Sequence, residues 1–177
     1  EMFSEVDRAN YDYLIGSVHY LKLGEEYVGF DRDAATVDHI VANYFGGDGM
    51  AFARSYYAHL SELPEHGEFD IIGHFDLLSK FNEKILIFDE IHPRYIRAWQ
   101  TAIDKLLPYG KPFEINTGAI SRGYRTKPYP SPQIVEYIRS KGGKTILTSD
   151  SHSKDTLCYE FEKWYKVCQK IGVRIVD

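Results

Sequence analysis

Apolar and polar positions along the chain fall into two alternating kinds of segment. Residues 14–18, 69–73 and 144–149 are short apolar runs with the length and branched content of buried strands. Between them, apolar residues recur at helical spacing. Ala34, Val37, Ile40 and Val41 predict a helix over 33–44, broken by the loop Gly46-Gly47-Asp48-Gly49. A second helix is predicted from Met50 to about Leu63, ending before Pro64. His92-Pro93 opens a third, with Ile96, Trp99, Ile103 and Leu106 on one stripe and Pro108 and Gly110 at its close. A strand over 112–116 follows, then a helix that Ser131-Pro132 starts and Gly142-Gly143 stops. Asp155 is expected to cap a last helix carrying Leu157, Phe161, Trp164, Cys168 and Ile171, and 173–176 reads as a further strand. Strands alternating with helices imply a parallel sheet or barrel. A closed (β/α)8 barrel typically takes about 250 residues. The 177 residues here give about five strand signals, so the sheet is expected to be open or part of a barrel.

Composition narrows the class. A chain that is 44% hydrophobic suits a soluble α/β domain with a real core. The net charge of -5 leaves no basic footprint for nucleic acid, and no apolar run is long enough to span a bilayer. A small anionic substrate is compatible with that balance, because a local cationic pocket can sit in an acidic protein. Cys158 and Cys168 share no metal-binding spacing and fall in one helical segment, so no disulfide is expected and a reducing cytoplasm is the default.

The candidate chemistry sits where the strands stop. The first run leads into His19, the second into His74, and the last into Asp150-Ser151-His152. In a parallel α/β sheet the C-terminal strand ends share one face, so these distant side chains can converge. Imidazole and carboxylate together suit zinc, iron or manganese. If the chain stays extended through Asp150 and His152, residues two apart point the same way and one metal cluster can take both. Each histidine alone is as readily a hydrogen-bonded rim residue; their matching placement makes the case. His39, His59, His66 and His92 fall on helices or polar turns and read as surface or packing residues. Glu114 and Asn116 end another strand at the same face, where they could orient a ligand or water or simply bond a neighbouring loop. The loop from Ser121 to Lys127 is basic, and either Arg122 or Arg125 could hold a phosphoryl group through a planar fork. There is no P-loop, GxSxG elbow, HExxH or CxxC pair, which leaves metal-assisted hydrolysis as the leading reaction class.

Five stretches, in order, resemble the PHP (polymerase and histidinol phosphatase) superfamily, in its histidinol-phosphatase branch. They are Gly16-Ser-Val-His19-Tyr-Leu, Asp70-Ile-Ile-Gly-His74-Phe-Asp76, Glu114-Ile-Asn-Thr, Gly123-Tyr-Arg125-Thr and Thr148-Ser-Asp150-Ser-His152. The resemblance implies a distorted (β/α)7 TIM-like barrel with a trinuclear centre of divalent metals, Zn, Mn or Fe. His19, His74, Asp150 and His152 match family ligands. Arg125 is the better match for the phosphate-binding residue, Arg122 the second candidate, and Lys80 falls near another cationic position. The family opens with a His-x-His strand and further ligands that nothing before His19 supplies. Residues 1–177 are therefore expected to form one PHP-type domain, incomplete at the N-terminus and slightly at the C-terminus. Residues 1–10 are expected to form the helix preceding the first strand.

The implied activity, in the intact parent, is hydrolysis of a phosphate monoester, L-histidinol phosphate above all, as in histidine biosynthesis. Asp150 and His152 are the candidate catalytic residues, and Asp150 is one candidate to protonate the leaving alkoxide. The chain alone is expected to be inactive and to self-associate or pair with the missing segment, because an open sheet edge invites pairing. A different PHP phosphoesterase and a non-catalytic degenerate PHP module are the alternatives.

Overall fold

The computed structural model describes residues 7–176. Its centre is a four-stranded parallel sheet made of β1 (Ile15–Gly16), β4 (Ile71–Ile72), β5 (Phe113–Asn116) and β6 (Thr145–Thr148). They lie side by side in chain order, β1-β4-β5-β6. The register pairs Gly16 with Ile72, Ile72 with Phe113, and Asn116 with Thr148. Gly73 allows the close approach of β1, since a Cβ there would lie 2.8 Å from Ile15 Cγ2. Between β1 and β4 stand an antiparallel hairpin, β2 (Tyr20–Leu23) and β3 (Glu26–Gly29), and two helices, α1 (Ala34–Phe45) and α2 (Gly49–Ser61). Then come α3 (Pro93–Leu106), a single turn α4 (Gly118–Ser121), α5 (Pro132–Ser140) and α6 (Phe161–Lys170).

Local sequence accounts for most boundaries. Asp33 caps α1 by accepting from Thr36 N, and Gly46 closes it in the left-handed region at φ +60°. Asp48 caps α2 through the N–H groups of Met50 and Ala51. The His92 ring accepts from Arg94 N at the start of α3, with Pro93 in the first turn. Ser131 stands at the N-cap of α5 without a side-chain cap bond. The structure departs from several expectations. The last helix begins at Phe161 rather than Asp155, because Ser153 caps a separate 3-10 turn (Lys154–Thr156) and the backbone then turns through positive φ at Cys158 and Glu160. Leu157, expected on the apolar stripe, is exposed. Residues 173–176 make a single parallel bridge, Ile175 to Thr145, rather than a strand. The hairpin of β2 and β3 was not foreseen. Of the helix expected over residues 1–10, Arg8–Asn10 forms one 3-10 turn and residues 1–6 lie outside the described residues.

The core is aromatic. Phe52, Tyr56, Tyr57 and Leu60 of α2 and Tyr95, Trp99, Ile103 and Leu106 of α3 are buried with Ile72, Phe75 and Phe113. Each such side chain contributes about 1.5–3 kcal/mol when fully buried. The Tyr57 and Tyr95 hydroxyls meet at 3.0 Å, which satisfies both polar ends inside that layer. A smaller cluster of Ile115, Val135, Cys168 and Val173 seats α6. Both cysteines are free thiols, as expected.

Asp70, just before β4, ties the first described turn to the sheet. It accepts both Arg8 guanidinium nitrogens at 2.7 and 2.8 Å and Leu14 N at 2.8 Å. The Arg8 and Leu14 hydrogen bonds hold its carboxyl below the usual carboxylate range. A lowered folded-state pKa contributes stability above the unfolded value of about 3.9, lost as pH falls through the folded value. Asp70→Asn should therefore lower stability at pH 7 and cost progressively less as pH falls below about 4. Urea denaturation at both pH values measures this; an equal loss at both would contradict it.

Candidate functional site

The C-terminal ends of β1, β4, β5 and β6 bring the chemistry together. His19 follows β1 and His74 follows β4, and their rings meet edge-on with centroids 4.9 Å apart. His19 Nδ1 lies 3.0 Å from Asp31 Oδ2. A carboxylate on one ring nitrogen fixes the tautomer that leaves the other as an acceptor. His74 is buried, and its Nδ1 has no hydrogen-bond partner among the described residues. Burial pushes the His74 imidazole below its ordinary pKa, against the opposing pull of Glu114. It is thus held neutral, the form that can accept.

Glu114 links three strand ends. Its carboxylate accepts from His74 N at 2.5 Å and from the Thr148 hydroxyl at 2.6 Å, and the residue is 2% exposed. Asn116 is fully buried; its Oδ1 accepts from Gly118 N at 2.8 Å and shapes the turn into α4, while its Nδ2 has no partner. Both residues fall at the face expected of them.

Asp150 follows β6, but the segment is not extended there. Asp150 lies at φ +44°, so Asp150 and His152 do not project in parallel. His152 turns outward, its side chain 73% exposed and its Nε2 3.5 Å from Asp150 Oδ1. Arg122, at the end of α4, reaches across to Asp150. Its Nη1 donates to the Asp150 carbonyl at 2.7 Å and its Nη2 to the carboxylate at 2.9 Å. Gly118 makes that path possible, because a Cβ there would stand 3.0 Å from both guanidinium nitrogens and 2.8 Å from the Ser149 carbonyl. Lys80 comes in from the other side. It donates to the Asp31 carbonyl at 2.6 Å and packs over the Tyr124 ring at 4.6 Å. Burial lowers its pKa, partly offset by Asp31.

Arg125 has a different place. The residue is 4% exposed, its Nη1 lies 3.5 Å from both oxygens of the fully buried Asp76, and its guanidinium covers the Tyr129 ring at 4.7 Å. Tyr129 in turn packs against His74, centroids 6.2 Å apart. Arg125 thus stands behind the histidines, whereas Arg122 stands beside Asp150. Among the described residues, no three His, Cys, Asp or Glu side chains are grouped closely enough to form a metal cage. Asp31 was missed from the sequence; its signal is its place just past β3, opposite His19 across the hairpin.

The fold and this cluster define an α/β protein with its histidines and carboxylates gathered at the C-terminal end of a parallel sheet. No protein-family model matches the chain. It is 31% identical over 170 residues to a "probable histidinol-phosphatase" of Deinococcus radiodurans, covering 94% of this chain and 57% of that protein. It is 26% identical over 167 residues to a "probable histidinol-phosphatase" of Schizosaccharomyces pombe, covering 93% of this chain and 52% of the other. In fold it matches the crystal structure of the "putative histidinol phosphatase hisK" from Listeria monocytogenes, with a TM-score of 0.77 at 15% identity over 88% of this chain and 59% of that one. Along most of its length the chain is similar to these two probable histidinol-phosphatases, and it spans about half the length of the curated relatives it matches.

Proposed function

We propose that the strand-end cluster is a metal-dependent phosphate monoester hydrolysis site whose substrate is L-histidinol phosphate, within a closed PHP barrel. The observation that carries this reading is the edge-on pair of His19 and His74, with the His74 Nδ1 buried and unpartnered. A buried nitrogen with no partner is costly unless something binds it. A divalent zinc, manganese or iron ion fits such a nitrogen, and His19, with Asp31 behind it, and Asp150 complete the candidate donor set. When bound, such an ion supplies Lewis acidity toward water and toward a phosphoryl oxygen.

The chain's own residues do the rest. Arg122 presents a planar fork that now holds Asp150 and would take phosphoryl oxygens in its place. Lys80 adds a second positive charge from the hairpin side, and its partial burial strengthens that charge's pull on an anion. Glu114 and Thr148 hold the ends of β4, β5 and β6 in register, so the histidine backbone does not shift when charge develops. Asp150, once released by Arg122, would take the proton of the attacking water on a free carboxylate oxygen and pass it to the leaving alkoxide. This assignment gives the phosphate fork to Arg122 and leaves Arg125 with a packing role. His152, exposed, joins the donor set only on reorientation of its loop.

The test is phosphate release from L-histidinol phosphate by the protein encoded in the full reading frame that contains this chain. Turnover is expected after reconstitution with Mn²⁺ or Zn²⁺ and should vanish in chelator. Equal turnover by exhaustively demetallated protein rejects the mechanism. Faster turnover of another phosphomonoester would move the substrate to a different PHP phosphoesterase. Metal binding without turnover on any ester would point to the non-catalytic module.

A further inference from the structure

A cavity of about 610 Å³ lies away from the strand ends, between α2 and α3. That volume falls within the range of small-molecule sites. Its lining includes small residues of both helices, Ala51 and Ala58 from α2 and Ala98 and Ala102 from α3. Its rim is cationic. Arg54 from α2 and Arg94, Arg97 and Lys105 from α3 all line it. Among the described residues, none of these four makes an ion pair. The lining has one carboxylate, Asp48, and it is already committed to capping α2 at 2.9 and 3.1 Å. Asp104, on α3 outside the cavity, is held by Tyr137 and Lys141. Four unpaired cations around one hollow stand out in a chain of net charge -5.

The spacing says what would fit. Lys105 Nζ reaches Ser61 Oγ at 3.5 Å, which sets the C-terminal ends of the two helices side by side. On that alignment Arg54 faces Arg97 across the groove, and Arg94 lies one turn away. Lys105 lies about 12 Å further along the axis, at 1.5 Å per residue. Three guanidinium groups therefore gather at one end. A single carboxylate neutralises only part of that charge, whereas linked phosphates pack several negative charges into a small volume and match guanidinium forks. We infer that the groove between α2 and α3 binds a small molecule carrying two or more linked phosphates, at a site separate from the strand-end cluster.

Isothermal titration of the chain with inorganic tripolyphosphate and, separately, with ATP tests this. One saturable site per chain is expected, weakening with added salt; ATP binding more tightly than tripolyphosphate would identify a nucleotide as the ligand, and the reverse a polyphosphate. The double variant Arg54→Gln/Arg97→Gln should bind at least tenfold more weakly while keeping the wild-type melting curve, since both positions are exposed. Arg94→Gln alone supplies an independent check and should weaken binding at least threefold. Arg122→Gln should leave binding unchanged. No saturable binding, unchanged affinity in the groove variants, or loss in Arg122→Gln alone would each overturn the inference.

Discussion

Arg125→Met should destabilise the protein by about 3–5 kcal/mol, the usual cost of removing one partner from a buried ion pair. The Arg125 and Asp76 side chains are 1% and 0% exposed. Without the guanidinium, Asp76 keeps, among the described residues, only Ser131 N, at 3.0 Å, to offset its burial. Burial already pushes the Asp76 carboxyl above its ordinary pKa, and loss of Arg125 would push it further. A group raised in the folded state contributes stability that is full below its unfolded pKa and is lost as pH rises through the folded value. The penalty of Arg125→Met should thus be smaller at pH 5 than at pH 8. Arg122→Met, by contrast, breaks a pair with 28% and 35% of its side chains exposed and should cost under about 1 kcal/mol. Urea denaturation of both variants decides this; equal costs, or a larger cost for Arg122→Met, would contradict the buried structural role given to Arg125.

The second large effect is on turnover. Arg122→Ala, in the full-length protein, should lower kcat/KM for L-histidinol phosphate by about 10²–10³-fold, the scale of losing one preorganised donor to a developing anion. Metal content should be unchanged, since a guanidinium cannot ligate a cation. Kinetics and metal analysis on one preparation separate the possibilities. If metal occupancy collapses while turnover per bound ion holds, Arg122 supports the donor residues rather than the phosphate.

The contrast between these arginines shows what sequence does and does not carry. Strand periodicity placed His19, His74, Glu114 and Asp150 at strand ends, because those ends are local features of pattern and turn chemistry. Which arginine of a basic loop faces the cluster depends on Asp76, 49 residues before Arg125, and no local rule links them. The hairpin was legible in principle. Residues 20–29 are polar and apolar by turns around Gly24, which adopts φ +64°, and reading it would have put Asp31 beside His19. The turn at Asp150 was not legible, since aspartate enters the left-handed region only when the surrounding contacts hold it there. The same holds for the late start of α6, where a helical stripe reads through Leu157 but the backbone at Cys158 and Glu160 does not follow it.

The central claim is that the pair of His19 and His74 marks a metal site. Paramagnetic broadening of the histidine ring NMR signals by substoichiometric Mn²⁺ tests it most directly, on the chain as it stands. Signals of His19 and His74 should fade first, while those of His39, His59, His66 and His92 persist, and His74→Ala should abolish the selectivity. Uniform broadening, or early loss at the four helix and turn histidines, would contradict the claim.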